Sequence, residues 1–93
     1  MIPTIHSYCD NTTAANAMAV DVDGVTFYFS YRTCVAVSHH GKTIVRENVW
    51  GPTTGKHLNA IDGGDKASRV GVVEFQAQLK QLMAGAIAEA LAE

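Results

Sequence analysis

Val25 to Ser38, VTFYFSYRTCVAVS, constrains the fold more than any other stretch: fourteen residues, most of them β-branched or aromatic. Its odd positions, Val25, Phe27, Phe29, Tyr31, Thr33, Val35 and Val37, keep one face apolar, while Tyr28, Ser30, Arg32, Cys34, Ala36 and Ser38 point the other way. A period of two sustained over that length demands a sheet. The run is long for one strand, so the reading expects a bend or bulge near Ser30 to Arg32, or a central strand whose first half pairs backward and second half forward.

The flanks supply the partners. AMAVDV, from Ala17 to Val22, reads as a strand, and Asp23-Gly24 is a two-residue hairpin signal because both turn positions need positive φ. His39-His40-Gly41-Lys42 makes the next turn, and TIVRENV, Thr43 to Val49, returns. If Val45 and Val49 join the odd-position core face, then Arg46, Asn48 and Trp50 share the other face with Tyr28 and Arg32. Residues 1 to 16 show no sustained period and read as an N-terminal arm, with a short extended piece at Ile2 to Ile5.

Gly51-Pro52 ends the third strand, and Thr53 or Thr54 is placed to cap a short helix over Gly55 to Asp62 that buries Leu58 and Ile61. Gly63-Gly64 stops it, and Asp65 to Val70 is a polar link. From Val72 to Ala92 the pattern turns helical, with Phe75, Leu79, Leu82, Met83, Ala86, Ile87, Ala90 and Leu91 on one stripe. Gly85 in that helix suggests close packing on the sheet. The expected fold is α+β: a three-stranded antiparallel meander packed by the C-terminal helix, plus a short edge helix. Residues 17–93 form its single domain.

Ninety-three residues suffice for one core without a metal or disulfide framework. The charged fraction of 17% is low, which favours a homodimer that hides surface. A net charge of -2 offers no general attraction to phosphate backbones or anionic lipid, so nucleic acid is the less favoured partner. Without an apolar run of about eighteen residues or a signal-peptide pattern, no membrane is implied and the expected location is cytoplasmic. Cys9 and Cys34 form no CxxC pair and are expected to stay reduced; no cofactor and no metal are expected.

Arg46 to Asp62, RENVWGPTTGKHLNAID, holds most of the residues suited to binding. Thr53, Thr54, Lys56 and His57 at a helix start have the parts of an anion site: outward amides, hydroxyl donors and positive side chains. The eight-residue Walker pattern is absent, because Gly51 lies one position too close to Gly55 and His57 stands where the metal-binding Ser or Thr would be. Trp50 and Arg46 are types that recur where ligands or partners dock, and Asn48 and Asn59 add amides. The candidate ligand-binding set is therefore Arg46, Asn48, Trp50, Thr53, Thr54, Lys56, His57 and Asn59. No GxSxG, paired carboxylates or HxxxH argues for catalysis, so the chain is read as a non-enzyme.

The matching residues Tyr31, Thr33, Val35, Ala36, Gly41, Asn48, Val49, Trp50, Thr53, Thr54, Gly55, Lys56, His57, Leu58, Asn59, Glu74 and Phe75 carry a likeness. Over about half its length the chain resembles a family of short bacteriophage and prophage proteins sharing an Asn-Val-Trp and Thr-Thr-Gly-Lys-His-Leu-Asn core. The resemblance implies a phage origin and a role in binding or neutralising a host component in the host cytoplasm, and it carries no activity across. Three functions are then expected in order: binding an anionic, phosphate-bearing small molecule such as a nucleotide, as a counter to host defence; inhibiting a host protein complex; or binding single-stranded nucleic acid through Tyr28, Arg32 and Trp50.

Overall fold

The computed structural model describes residues 3–9 and 16–92, with side chains described through residue 85. One antiparallel sheet takes five strands in sequence order: β1 (Thr4–Ser7), β2 (Ala17–Val22), β3 (Val25–Ser30), β4 (Thr33–His39) and β5 (Lys42–Val45). Helix α1 (Pro52–Asp62), a 3-10 turn at Lys66–Ser68 and helix α2 (Val72–Ala92) follow. The α+β class is as expected; among the described residues there are five strands where three were expected.

Two segments account for the difference. Part of the N-terminal arm, Thr4–Ser7, pairs with β2 along Asp21 to Met18, slightly later than the extended piece expected at Ile2 to Ile5. The fourteen-residue run is a hairpin, β3 and β4, turned at Tyr31-Arg32 with Tyr31 in the left-handed region at φ 57. A Tyr-Arg pair carries none of the Gly, Asn or Asp that usually marks such a turn. Asp23-Gly24 and His40-Gly41 turn the chain as their composition predicts, with all four residues at positive φ. Residues 10–15 and the side chains of Ala86, Ile87, Ala90 and Leu91 in the expected stripe lie outside the described residues.

A bulge organises the core. Tyr28 faces Ala36 while Phe29 faces Cys34, so β4 holds one extra residue, Val35, and Val35, Ala36 and Val37 are buried in succession. That succession is possible because both faces are covered. On one, Val25, Phe27 and Val37 pack with Phe75 of α2, flanked by Leu79 and Leu82. On the other, Val35, Ala36 and Val45 pack with Leu58 of α1, flanked by Tyr28 and Ile61. Burying a side chain such as Phe75 or Leu58 contributes about 1.5–3 kcal/mol. The sheet thus lies between two helices, and α1 covers a face instead of sitting at the edge. Gly85 is exposed and a Cβ there would meet nothing within 4 Å, so it marks no close packing.

The phase of the last strand also differs. Val45 pairs with Ala36 and Ile44 with Val37, which places Val45 on the face of Tyr28 and sends Ile44 to the α2 side. β5 ends at Val45, four residues before the expected Val49. Beyond it Arg46 N donates to Val35 O at 2.9 Å, Glu47 N to Val70 O at 2.9 Å and Val70 N to Val45 O at 2.8 Å. Val70 therefore covers the end of β5 after the chain has passed through α1. No helix among the described residues is long and apolar enough to cross a membrane.

Candidate functional site

The segment leading into α1 is shaped by Asn48. Its Oδ1 accepts from Trp50 N at 2.9 Å and its Nδ2 donates to Gly51 O at 3.3 Å, an Asx turn that delivers the chain to the helix. Gly51 is the N-cap without a side-chain cap bond, and Pro52, whose ring presets the helical φ, opens the helix. The helix consequently starts three residues before the expected Gly55, and Thr53 and Thr54 lie inside its first turn instead of capping it. Gly55 faces Asn48: a Cβ there would come 3.2 Å from Nδ2. Arg46 lays its guanidinium 4.6 Å from the centre of the Trp50 ring, a cation–π contact, and its buried Nε has no hydrogen-bond partner among the described residues.

Along the outer side of α1 runs a groove of about 540 Å³ whose polar walls come from Glu47, Asn48, Lys56, Asn59, Lys66 and Arg69. Arg69 is anchored: Nε donates to Asp62 Oδ2 at 2.7 Å, and Nη2 donates to Asp62 Oδ1 and Asn59 Oδ1, each at 3.0 Å. The hydrogen bond from Arg69 holds the Asp62 carboxyl below its ordinary range, and the same bond raises the guanidinium pKa. Gly64 N, donating at 2.9 Å, adds to the Asp62 effect. Lys56 and Lys66 have no ion-pair partner among the described residues. The groove combines two ammonium groups, a guanidinium on a fixed mount and two carboxamides, with Glu47 as the one carboxylate among its described lining residues.

The opposite side of α1 is dry. Ser30, 3% exposed, sets its Oγ 2.7 Å from His57 Nδ1 and 3.0 Å from Thr54 Oγ1, and His57 is 0% exposed. Tyr8 stands edge-on to His57 and to Tyr28, with ring centres 6.3 and 5.3 Å apart, and donates to Phe29 O at 2.8 Å. Burial raises the pKa of the Tyr8 hydroxyl. Although a Ser and a His lie within hydrogen-bond distance, this nucleophile faces packed side chains, so the cluster serves to seat α1 on the sheet.

The eight candidate residues are thus divided four ways. Asn48, Lys56 and Asn59 meet in the groove; Arg46 and Trp50 stack beside it; Thr54 and His57 turn inward, with Thr53 half-buried outside the groove walls. The expected face of Tyr28, Arg32, Arg46, Asn48 and Trp50 does not form: Arg32 lines the α2 side while Tyr28 packs on the α1 side, and Asn48 and Trp50 lie beyond the end of β5. Sequence reasoning missed Glu47, Lys66 and Arg69. The basic pair in DKASR, directly after the Gly63-Gly64 stop, was the available signal, but nothing in it tells that Arg69 folds back onto Asp62.

No curated protein and no solved structure matches the chain. Residues 4–77 match a family described as "Family of unknown function (DUF8033)", a span that takes in all five described strands, α1 and the first residues of α2. The chain belongs to this family, DUF8033.

Proposed function

We propose that this is a non-enzymatic binding protein whose groove along α1 accepts an anionic, phosphate-bearing small molecule of nucleotide size. The observation that carries the reading is the convergence of Lys56, Lys66 and Arg69 on one groove in a chain of net charge -2. Two ammonium groups with no acidic partner among the described residues, Lys56 and Lys66, and the Asp62-anchored guanidinium of Arg69 stand beside the amides of Asn48 and Asn59, an arrangement that suits phosphate oxygens. Its volume lies in the usual range of small-molecule sites. The resemblance to phage proteins adds a setting: a host signalling nucleotide, sequestered in the host cytoplasm, as a means of countering defence.

Thermal unfolding against mono-, di- and cyclic nucleotides at millimolar concentration tests it. A ligand at about one hundred times its dissociation constant adds about 2.7 kcal/mol and raises the midpoint by several degrees. The shift is expected in the wild type and lost in Lys56→Ala and Lys66→Ala, whose own midpoints stay put because both side chains are exposed. Flat midpoints across the whole panel would sink the reading.

A second reading, inhibition of a host protein complex, is favoured by one feature: Val49 and Trp50 are 58% and 41% exposed side by side on a turn braced by Asn48. Exposed apolar residues of this size in one place suit a partner surface. In that case Trp50→Ala abolishes capture of a specific macromolecule from host lysate and Lys56→Ala does not.

A further inference from the structure

A second groove lies across the sheet from the first and shares no residue with it. It occupies about 450 Å³ between α2 and the β2–β3 side of the sheet, walled by Val20, Val22, Phe29, Cys34 and Met83, with exposed Arg32 among its lining. Helix α2 explains why it exists. Phe75, Leu79 and Leu82 pack with Val25, Phe27 and Val37, leaving Val20, Val22 and Phe29 only half-buried on the same face. Those positions follow from the register, since Val20 pairs with Phe27, Val22 with Val25 and Met18 with Phe29. A sheet face left to water carries polar side chains at alternate positions; this one stays apolar beyond the described side chains of its helix.

The charge is as informative as the apolar wall. Arg32 is the sole charged residue among the described lining residues, and no hydrogen bond or ion pair engages it among the described residues. An apolar trough with one unpaired cation is complementary to a molecule having an alkyl body and one anionic head. We propose that this groove binds a medium-chain alkyl carboxylate, its chain along Val20, Val22, Phe29 and Met83 and its head at Arg32. The trough falls within the size range of small-ligand sites.

Calorimetric titration of the full chain with hexanoate, octanoate and decanoate, below their micelle concentrations and with decanol as the neutral control, reads the proposal directly. Affinity rises about fourfold with each added methylene. Arg32→Gln weakens decanoate by about two- to fivefold, the worth of an exposed ion pair, and leaves decanol unchanged. Met83→Glu, at an exposed position, sets a carboxylate beside the chain and weakens every carboxylate, with the circular dichroism spectrum of both variants unaltered. Cys34 gives an independent readout, because its thiol lines the groove and its alkylation by a maleimide should slow as decanoate is added. Affinity that is flat with chain length, or lost equally for decanol and decanoate in Arg32→Gln, overturns the proposal. So does Cys34 protection that follows protein concentration and ignores decanoate, which would assign the groove to a second copy of the chain.

Discussion

The Oγ of Ser30 joins the two layers on the α1 side of the sheet, since it meets both Thr54 and His57. Removing a buried hydrogen-bonding group leaves its former partners without compensation, at a cost of about 1–3 kcal/mol. Ser30→Ala is therefore expected to lower the thermal midpoint by roughly 4–8 °C for each kcal/mol lost, followed by circular dichroism. An unmoved midpoint would mean that the hydroxyl holds nothing together. Gly55 asks a different question of the other face. Alanine is favoured over glycine by up to about 1 kcal/mol inside a helix, yet its Cβ would press on the Asn48 amide 3.2 Å away. Because Asn48 is exposed and can yield, Gly55→Ala is expected to keep or raise the midpoint while weakening the nucleotide binding proposed for the groove, which the same thermal-shift panel would reveal.

Among the elements, α2 depends on few anchors. Phe75 is the one residue of its described part that is fully buried, with Leu79 and Leu82 partly so. Phe75→Ala is expected to cost about 3–5 kcal/mol, and Leu79→Ala less, in urea unfolding monitored by circular dichroism. Equal losses would show that the helix is held evenly along its length. The same elements show what was legible in the sequence. Periods of two and of 3.6 identified β2, β3 and α2 because side-chain alternation follows directly from backbone geometry. The β3–β4 turn was not legible, as Tyr31 adopts a left-handed φ that its residue type does not advertise. The β4–β5 phase was misread for another reason: the two-residue turn His40-Gly41 pairs Val37 with Ile44, so even positions of β5 share the face of odd positions of β4, while the bulge at Val35 only keeps Val37 on the side of Phe27. The start of α1 was misplaced because the Thr pair outweighed Pro52, although proline at the first helical position is as good a signal. Half of the groove was visible as Asn48, Lys56 and Asn59. Its other half arrives through a return of the chain, for which local sequence has no marker.

For the whole molecule, the carboxylates set the acid limit. Hydrogen bonds hold Asp62 and Asp21 below their ordinary value of 3.8, chiefly from Arg69 in the first case and from Thr26, then Thr4, in the second. A folded-state pKa lowered in this way contributes stability that is fully present above the unfolded value and is lost as pH falls through the folded one. Stability should accordingly hold near neutrality and decline below about pH 4. Asp62→Asn should lower the midpoint at pH 7 and flatten that acid decline in a pH series of thermal melts; a decline as steep as the wild type's would place its origin elsewhere.

The return of Val70 to β5 has a consequence for motion. Backbone hydrogen bonds from Glu47 to Val70 and from Val70 to Val45 close the chain from Arg46 to Val70 into a ring whose ends meet at the sheet margin. Helix α1 and the charged groove ride on that ring. Segments closed in this way open as cooperative units well below the free energy of global unfolding. If the two bonds act as the clasp, the amide protons of Glu47 and Val70 should exchange with deuterium at one common rate, faster than those of β3. Both should slow together when an anion occupies the groove, so that a ligand touching Lys56 is felt as a tightening at Val70.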